Sequence, residues 1–456
     1  MGIKGLIIED ATILSGPDWK AIPDSVVMIE DGLIAKISST GKSEYPNGVR
    51  IIDGHGKFLI PGFIDMHTHC HTSEAIDFLS EFGPKLYEPN HRDWFLKLFL
   101  AYGVTTIRDL GNFPEIFDLK KECSGGTTSP SMIVAGELLE GAEPLWPLSR
   151  KVVDAEAVKY EVKRQKQLGA DWIKLYVGLE PSVTKAAIEE AHSLDMRVAG
   201  HIWRTTATEA ARMGIDSLEH TLTLADESFL SDKDQASLPG PKDNTYRPDR
   251  FRQMWSKANL DSESAIDLIN ALKESKTAVC PTLLVHENTM KGPNESFKNF
   301  AFDLVPQKWL EIWDGRFKIF HPEGTKTPDP VEGFNRALEL VSKLYMAGVR
   351  ILGGTDAALW NPYMVPGASI HRELELLVSA GLTLKDALSS VSCYAAETLG
   401  LANELGTIEK GKRADMVLLR NDPTRDIIHT RDIEMVVNKG HTFSPEDLLE
   451  DIGPVE

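Results

Sequence analysis

The chain has 456 residues, 42% of them hydrophobic, and a formal net charge of −19. That length suits a barrel with a small partner domain, and that hydrophobic content supports a sizeable core and excludes a disordered chain. The acidic balance argues against nucleic-acid and anionic-membrane partners, and four cysteines without a C-x-x-C pair argue against a disulfide framework.

Residues 1–60 read as short β-type runs: Gly5–Ile8, Ser25–Ile29 and Leu33–Ile37. The last two are joined by Glu30-Asp31-Gly32, a tight-turn signal. The N-terminus has no long apolar segment and turns acidic at Glu9 and Asp10, so no signal peptide is expected. No apolar stretch reaches the length of a membrane span, and a cytoplasmic protein with reduced thiols is expected.

From residue 61 to about 400, short β runs alternate with helical stretches. Eight runs fall at 59–65, 104–109, 131–135, 171–177, 196–200, 215–219, 277–285 and 349–355, with helices around Ala155–Leu168 and Val183–Leu194. The pattern predicts an α/β chain forming a (β/α)8 TIM-type barrel over 61–400, with its active site at the C-terminal ends of the strands. Two segments, about 221–262 and 287–330, exceed the usual connections of about 2–6 residues. Both follow strands, so long loops on the catalytic face are expected. They carry Tyr246, Phe251, Trp255, Trp309, Trp313, Phe317 and Phe320. Those aromatics either line a lid over an apolar substrate or pack into a satellite core. Ala414–Leu419 is again β-type, so 1–60 and 401–456 are expected to form one small composite β-sandwich domain.

The most informative motif is Asp65-Met66-His67-Thr68-His69, directly after the apolar run Phe58–Ile64. Side chains two apart on a strand share a face, so two imidazoles there make half of a metal site. Further candidates lie in or close other β runs. Lys174 lies within Trp172–Val177, His201 follows Met196–Gly200, His220 follows Ile215–Glu219, and Asp356 follows Val349–Thr355. Singly each is as readily structural; the ordered series is not. Tyr176, two after Lys174, is a candidate substrate contact or a packing residue. His286 follows Thr277–Val285, the expected seventh strand, and is a candidate catalytic and substrate-binding group. Glu137, Cys70 and His71 read as structural.

These positions resemble the metal-dependent amidohydrolase superfamily, and within it the prolidase-like and aryl-amide or phenylurea hydrolases. The likeness rests on Pro61–His69, Lys174, His201, Ser217-Leu218-Glu219-His220, Gly353-Gly354-Thr355-Asp356 and Leu405–Leu419. It implies two divalent ions, zinc or else manganese or cobalt, held by His67, His69, Lys174, His201, His220 and Asp356. It also implies that Lys174 carries a CO2-derived carbamate bridging them. The implied reaction is hydrolysis of a C–N bond in an amide, urea, carbamate or dipeptide by a metal-bridging hydroxide, with Asp356 as proton shuttle. Prolidase-like Xaa-Pro cleavage is one alternative, for which Arg204, Arg247 or Arg250 could bind a carboxylate. A superfamily deaminase or cyclic-amide hydrolase is another, although Arg204 stands where those relatives place a glutamate. A catalytically inactive scaffold is the non-enzyme alternative. A small-molecule substrate and a homo-oligomer are expected.

Overall fold

The turn signal at Asp31-Gly32 closes a hairpin because both residues adopt positive φ, 49° and 79°, which matches the twist of the strands they join. In this computed structural model, which describes residues 5–41, 45, 48–70, 91–146, 148–238, 248–320, 330–358 and 361–450, the first strands are β1 (Leu6–Ser15), β2 (Lys20–Glu30), β3 (Leu33–Ser39), β4 (Arg50–Asp53) and β5 (Phe58–Pro61). Next come β6 (Phe63–Thr68), β7 (Val104–Asp109), β8 (Ser131–Val134), β9 (Leu138–Glu140), β10 (Ser149–Lys151), β11 (Trp172–Leu175), β12 (Arg197–Gly200), β13 (Ser217–Glu219) and β14 (Ala278–Cys280). Near the C-terminus lie β15 (Met416–Leu419), β16 (Ile433–Asn438) and β17 (His441–Phe443).

Strands from both ends of the chain share one sheet of order β17-β16-β15-β5-β1-β2-β3, with β4 beside β1. Its far side folds back, for Ile34 N donates to Lys412 O and Ala414 N to Gly32 O. The enclosed core includes Ile8, Ile13, Val27, Leu59, Met416 and Leu418.

The remaining strands form a parallel ring. β6-β7-β8 is one piece, and β9-β11-β12-β13-β14 is the other, with β10 at its edge. The third ring position is bent between β8 and β9 at Gly136, whose φ is 78°. Asp171 N donates to Val134 O across that joint. The eighth position, expected as a strand over 349–355, is only bridged, at Ile351 to Val279 and at Ala357 to Thr68. It still closes the ring through Leu352 N to Val279 O and Met66 N to Gly353 O. Gly354 makes this approach possible, since a Cβ there would lie 2.5 Å from Cys280 Sγ and 2.8 Å from His67 N.

Three expectations need correction. The run 59–65 is split, with Phe58–Pro61 in the small sheet and Phe63–Thr68 in the ring. The run 277–285 ends as a strand at Cys280, and Leu283–Lys291 is a helix. Thr282 turns the chain between them at φ 45°, ψ 53°. The two long segments are largely helical, with helices at Asp232–Ala236, Pro248–Lys257, Glu295–Ala301 and Gln307–Phe320. Trp309 and Trp313 are buried, and Trp313 packs on Phe302 and Tyr363 as a satellite core. Trp255 is buried beside His286. Tyr246, Arg247 and His71, and the side chains of Phe251 and Phe320, lie outside the described residues.

Candidate active site

At the C-terminal mouth of the ring is a cavity of about 370 Å3, lined by His67, His69, Lys174, Tyr176, His201, His220 and Asp356. Ring strands deliver six of these side chains, on or directly after β6, β11, β12 and β13. Two of the seven, His220 and Asp356, have positive φ, 66° and 58°. Non-glycine residues seldom adopt that backbone without surroundings that enforce it. For Asp356 the enforcing group is Asp65, whose carboxylate accepts from Thr355 N at 3.0 Å and from Thr355 Oγ1 at 2.6 Å. Asp356 N in turn donates to His67 O.

Asp356 Oδ1 lies 3.1 Å from His69 Nε2 and 3.5 Å from His67 Nε2. The far ring nitrogens are each engaged: His69 Nδ1 with Gly111 O, His220 Nδ1 with Thr282 Oγ1, and His67 Nδ1 with Glu219 Oε2, all at 2.8 Å. The His67 and His220 rings, and the His220 and His201 rings, stand 4.6 Å apart between centroids. Tyr176 stacks obliquely on His201 and accepts from Trp146 Nε1 at 2.9 Å.

Burial sets the protonation of this cluster. It holds His67 and His220 well below the usual imidazole range, with neighbouring cations adding to the effect, and takes His201 to about 3. His69 is raised: burial, the largest single cause, lowers it, but the hydrogen bond to Asp356, the charges of Asp356 and Asp109 and the bond to Gly111 O together outweigh burial. Lys174 is lowered to about 8 by burial. Neutral imidazoles and a readily deprotonated amine are donors a metal requires.

His67 Nε2 and Lys174 Nζ are buried without a hydrogen-bond partner. His67, His220 and Asp356 can bring one ligand atom each within 4.8 Å of one another. Orphaned buried donors of this kind are costly unless something binds them, and a divalent cation fits the set.

His286 is not brought to this cavity. It sits in the first turns of the Leu283–Lys291 helix, 1% exposed, against Trp255 and Phe334, with Nδ1 3.2 Å from Thr221 Oγ1. Arg204 and Arg250 are also elsewhere, paired with Glu180 and Glu227. Glu137 is paired with Arg150 and Arg164.

Residues that sequence reasoning passed over include Glu219 and Arg108, both buried beneath His67, and the loop 141–148 after β9. Residues 141–146 and 148 of that loop fold around Glu140, whose Oε2 accepts from Leu145 N at 3.1 Å and Ser149 Oγ at 2.7 Å. The loop places Leu145, Trp146 and Leu148 on the cavity wall, where the candidate ligands are the charged groups among the described lining residues. Val285, Asn288, Thr289 and Phe317 also line the wall.

The chain is similar to several known proteins. A curated 5-methylthioadenosine/S-adenosylhomocysteine deaminase from Thermodesulfovibrio yellowstonii is 32% identical over 198 residues, covering 36% of this chain and 45% of the relative. The chain therefore matches less than half the length of that relative. Among solved structures, a Xaa-Pro dipeptidase with bound methionine superposes with TM-score 0.66 at 18% identity, covering 96% of this chain and 99% of that one. Molinate hydrolase superposes with TM-score 0.67 at 19% identity, covering 98% and 96%. These two likenesses establish a shared fold. The model of the Amidohydrolase family matches residues 58–443, the whole ring and four of the eight strands of the small sheet, and the chain belongs to that family.

Proposed function

We propose that this chain is a metal-dependent hydrolase of a C–N bond in a compact, partly apolar small molecule of the amide, urea or carbamate class. The observation that carries the reading is the convergence of six potential ligands on one cavity, two of them with buried nitrogens that make no hydrogen bond. His67, His69, Lys174, His201, His220 and Asp356 would hold two divalent ions, zinc being the first choice for imidazole and carboxylate donors. Such ions supply Lewis acidity and lower the pKa of bound water from 15.7 to about 7.

The protein's own groups then have separate tasks. Lys174, with its pKa near 8, is roughly a tenth neutral at pH 7, and only the neutral amine can add CO2 to form a carbamate. Asp356, against both His67 and His69, is placed to take a proton and return it to the leaving nitrogen. Tyr176, oriented by Trp146, faces the substrate space, and the apolar wall from Leu145, Leu148, Val285 and Phe317 excludes water from it. Arg204, exposed and paired with Glu180, does not take the place of a deaminase glutamate in the cavity. The four cysteines are all free and buried, which suits a reducing compartment.

The test combines metal analysis with a hydrolysis screen. The protein should hold close to two transition-metal ions per chain, and chelation should abolish cleavage of anilides, phenylureas, carbamates or dipeptides. An active preparation with one ion per chain sinks the binuclear part; full activity after complete metal removal sinks the whole reading.

A further inference from the structure

Beneath the cavity lies a buried group of charges that the proposed chemistry does not use. Ser217 and Glu219, two apart on β13, share a face. Glu219 has 0% side-chain exposure and receives three contacts. Its Oε1 accepts from Arg108 Nη2 at 2.9 Å and from Ser217 Oγ at 2.5 Å. Its Oε2 lies 2.8 Å from His67 Nδ1. Arg108 is itself held, by donation from Nε to Met66 O at 2.6 Å and by the Trp172 ring 4.6 Å from its guanidinium carbon.

The roles follow from donor and acceptor chemistry. A guanidinium has only donors, and a carboxylate facing it has only acceptors. Glu219 therefore offers His67 Nδ1 an acceptor, so Nδ1 must carry the ring proton. A neutral imidazole has one N–H, which leaves the lone pair on Nε2, the buried nitrogen without a hydrogen-bond partner. Cys280 Sγ can also come within 4.8 Å of His67 and Glu219 ligand atoms. A second cation there would meet the Arg108 charge, so that trio is not a metal site.

We infer that Glu219 is a positioning residue that fixes the tautomer of His67, and that Arg108 enforces this by fixing which atoms of residue 219 face the ring. The inference rests on the reading of His67 as a metal ligand through Nε2. It makes a prediction that a plain structural ion pair does not. In Glu219→Gln, Arg108 and Ser217 claim the amide oxygen, which turns the NH2 toward His67 Nδ1. That nitrogen must then accept, Nε2 takes the proton, and metal is lost. Removing Arg108 as well releases the amide to turn its oxygen back to His67.

The experiment titrates Zn2+ into the protein against a chromophoric chelator and records the d–d spectrum of the Co2+ form. Glu219→Gln should bind metal about 10–100-fold more weakly, the range for losing such a supporting partner. Arg108→Met with Glu219→Gln should recover most of that affinity and a Co2+ spectrum like the wild type. Arg108→Met with Glu219→Leu, equal in charge but without an acceptor, should stay at least tenfold weaker. Those two doubles keep the test sharp even if the single variant fails to fold. Equal affinity in the two doubles, or wild-type affinity in Glu219→Gln, overturns the inference alone. A wild-type chain that binds no ion overturns the metal reading, and the inference with it.

Discussion

Replacing Lys174 by Met should make the metal-free protein more stable, although it destroys the site. Lys174 is 1% exposed, and its amine has no hydrogen-bond partner, so the substitution removes a charge without breaking a bond. Burial lowers its pKa from 10.5 to about 8. At about 1.4 kcal/mol per unit, the folded chelated protein carries about 3 kcal/mol of unfavourable charge burial. The sign is that of a depressed cation. Below pH 8 both folded and unfolded chains hold the proton, and the penalty is fully present. Between pH 8 and 10.5 the unfolded chain binds more protons, so stability rises with pH, and above that window the penalty is gone. Unfolding entropy of about 2.1 cal/mol/K per residue makes about 3 kcal/mol worth about 3 °C for a chain of this size. Thermal unfolding in chelator and CO2-free buffer should therefore place Lys174→Met about 3 °C above the wild type at pH 7 and level with it near pH 10.5. With metal present the order should reverse, because ions that bind only the folded wild type stabilise it. A chelated variant that melts at or below the wild type at pH 7 refutes the argument.

Asp356→Asn keeps an oxygen for coordination but loses the base, so metal content should persist while kcat falls about 10²–10⁴-fold in steady-state assays. Trp146→Ala removes the donor to Tyr176 and part of the cavity wall; KM for bulky substrates should change at least several-fold with metal content unaltered, whereas an unchanged KM series would detach this loop from the substrate. Trp313→Ala should act on stability instead, by about 3–5 kcal/mol in denaturant unfolding, because that ring is core. Gly354→Ala should lower metal occupancy, since the added carbon meets Cys280 and the His67 backbone; occupancy equal to the wild type would mean that the closing segment shifts freely.

The candidate ligand series was legible because ring strands are short, apolar and end in polar residues, and because the family resemblance picked out that set. What misled was an apolar run that reads equally as strand or helix. Thr277–Val285 is such a run, and its break comes at Pro281-Thr282, where a β-branched residue takes the left-handed region. That break carries His286 a helical step away from the mouth. Glu219 was hidden for the opposite reason: it looked like the tail of a strand, although Ser217-x-Glu219 already placed two polar side chains on one inward face. The loop 141–148 has no periodicity, so its fold around Glu140 could not be read without coordinates. The long aromatic segments were recognised but assigned to loops, although Pro248, Asn294 and Pro330 stand where helices begin.

The pairing of β5 with β15 has a consequence for synthesis. β5 runs directly into β6, which bears His67 and is followed at once by His69, yet its neighbour Met416–Leu419 is made only after the ring. During translation the side of β5 that β15 later covers stays open while the entire ring is threaded out, an exposed edge of apolar residues Phe58, Leu59 and Ile60. The nascent chain therefore carries an open apolar edge beside its candidate metal ligands. Truncation ahead of β15 should yield a chain recovered in inclusion bodies or bound to holdases, instead of a soluble enzyme lacking an ornament.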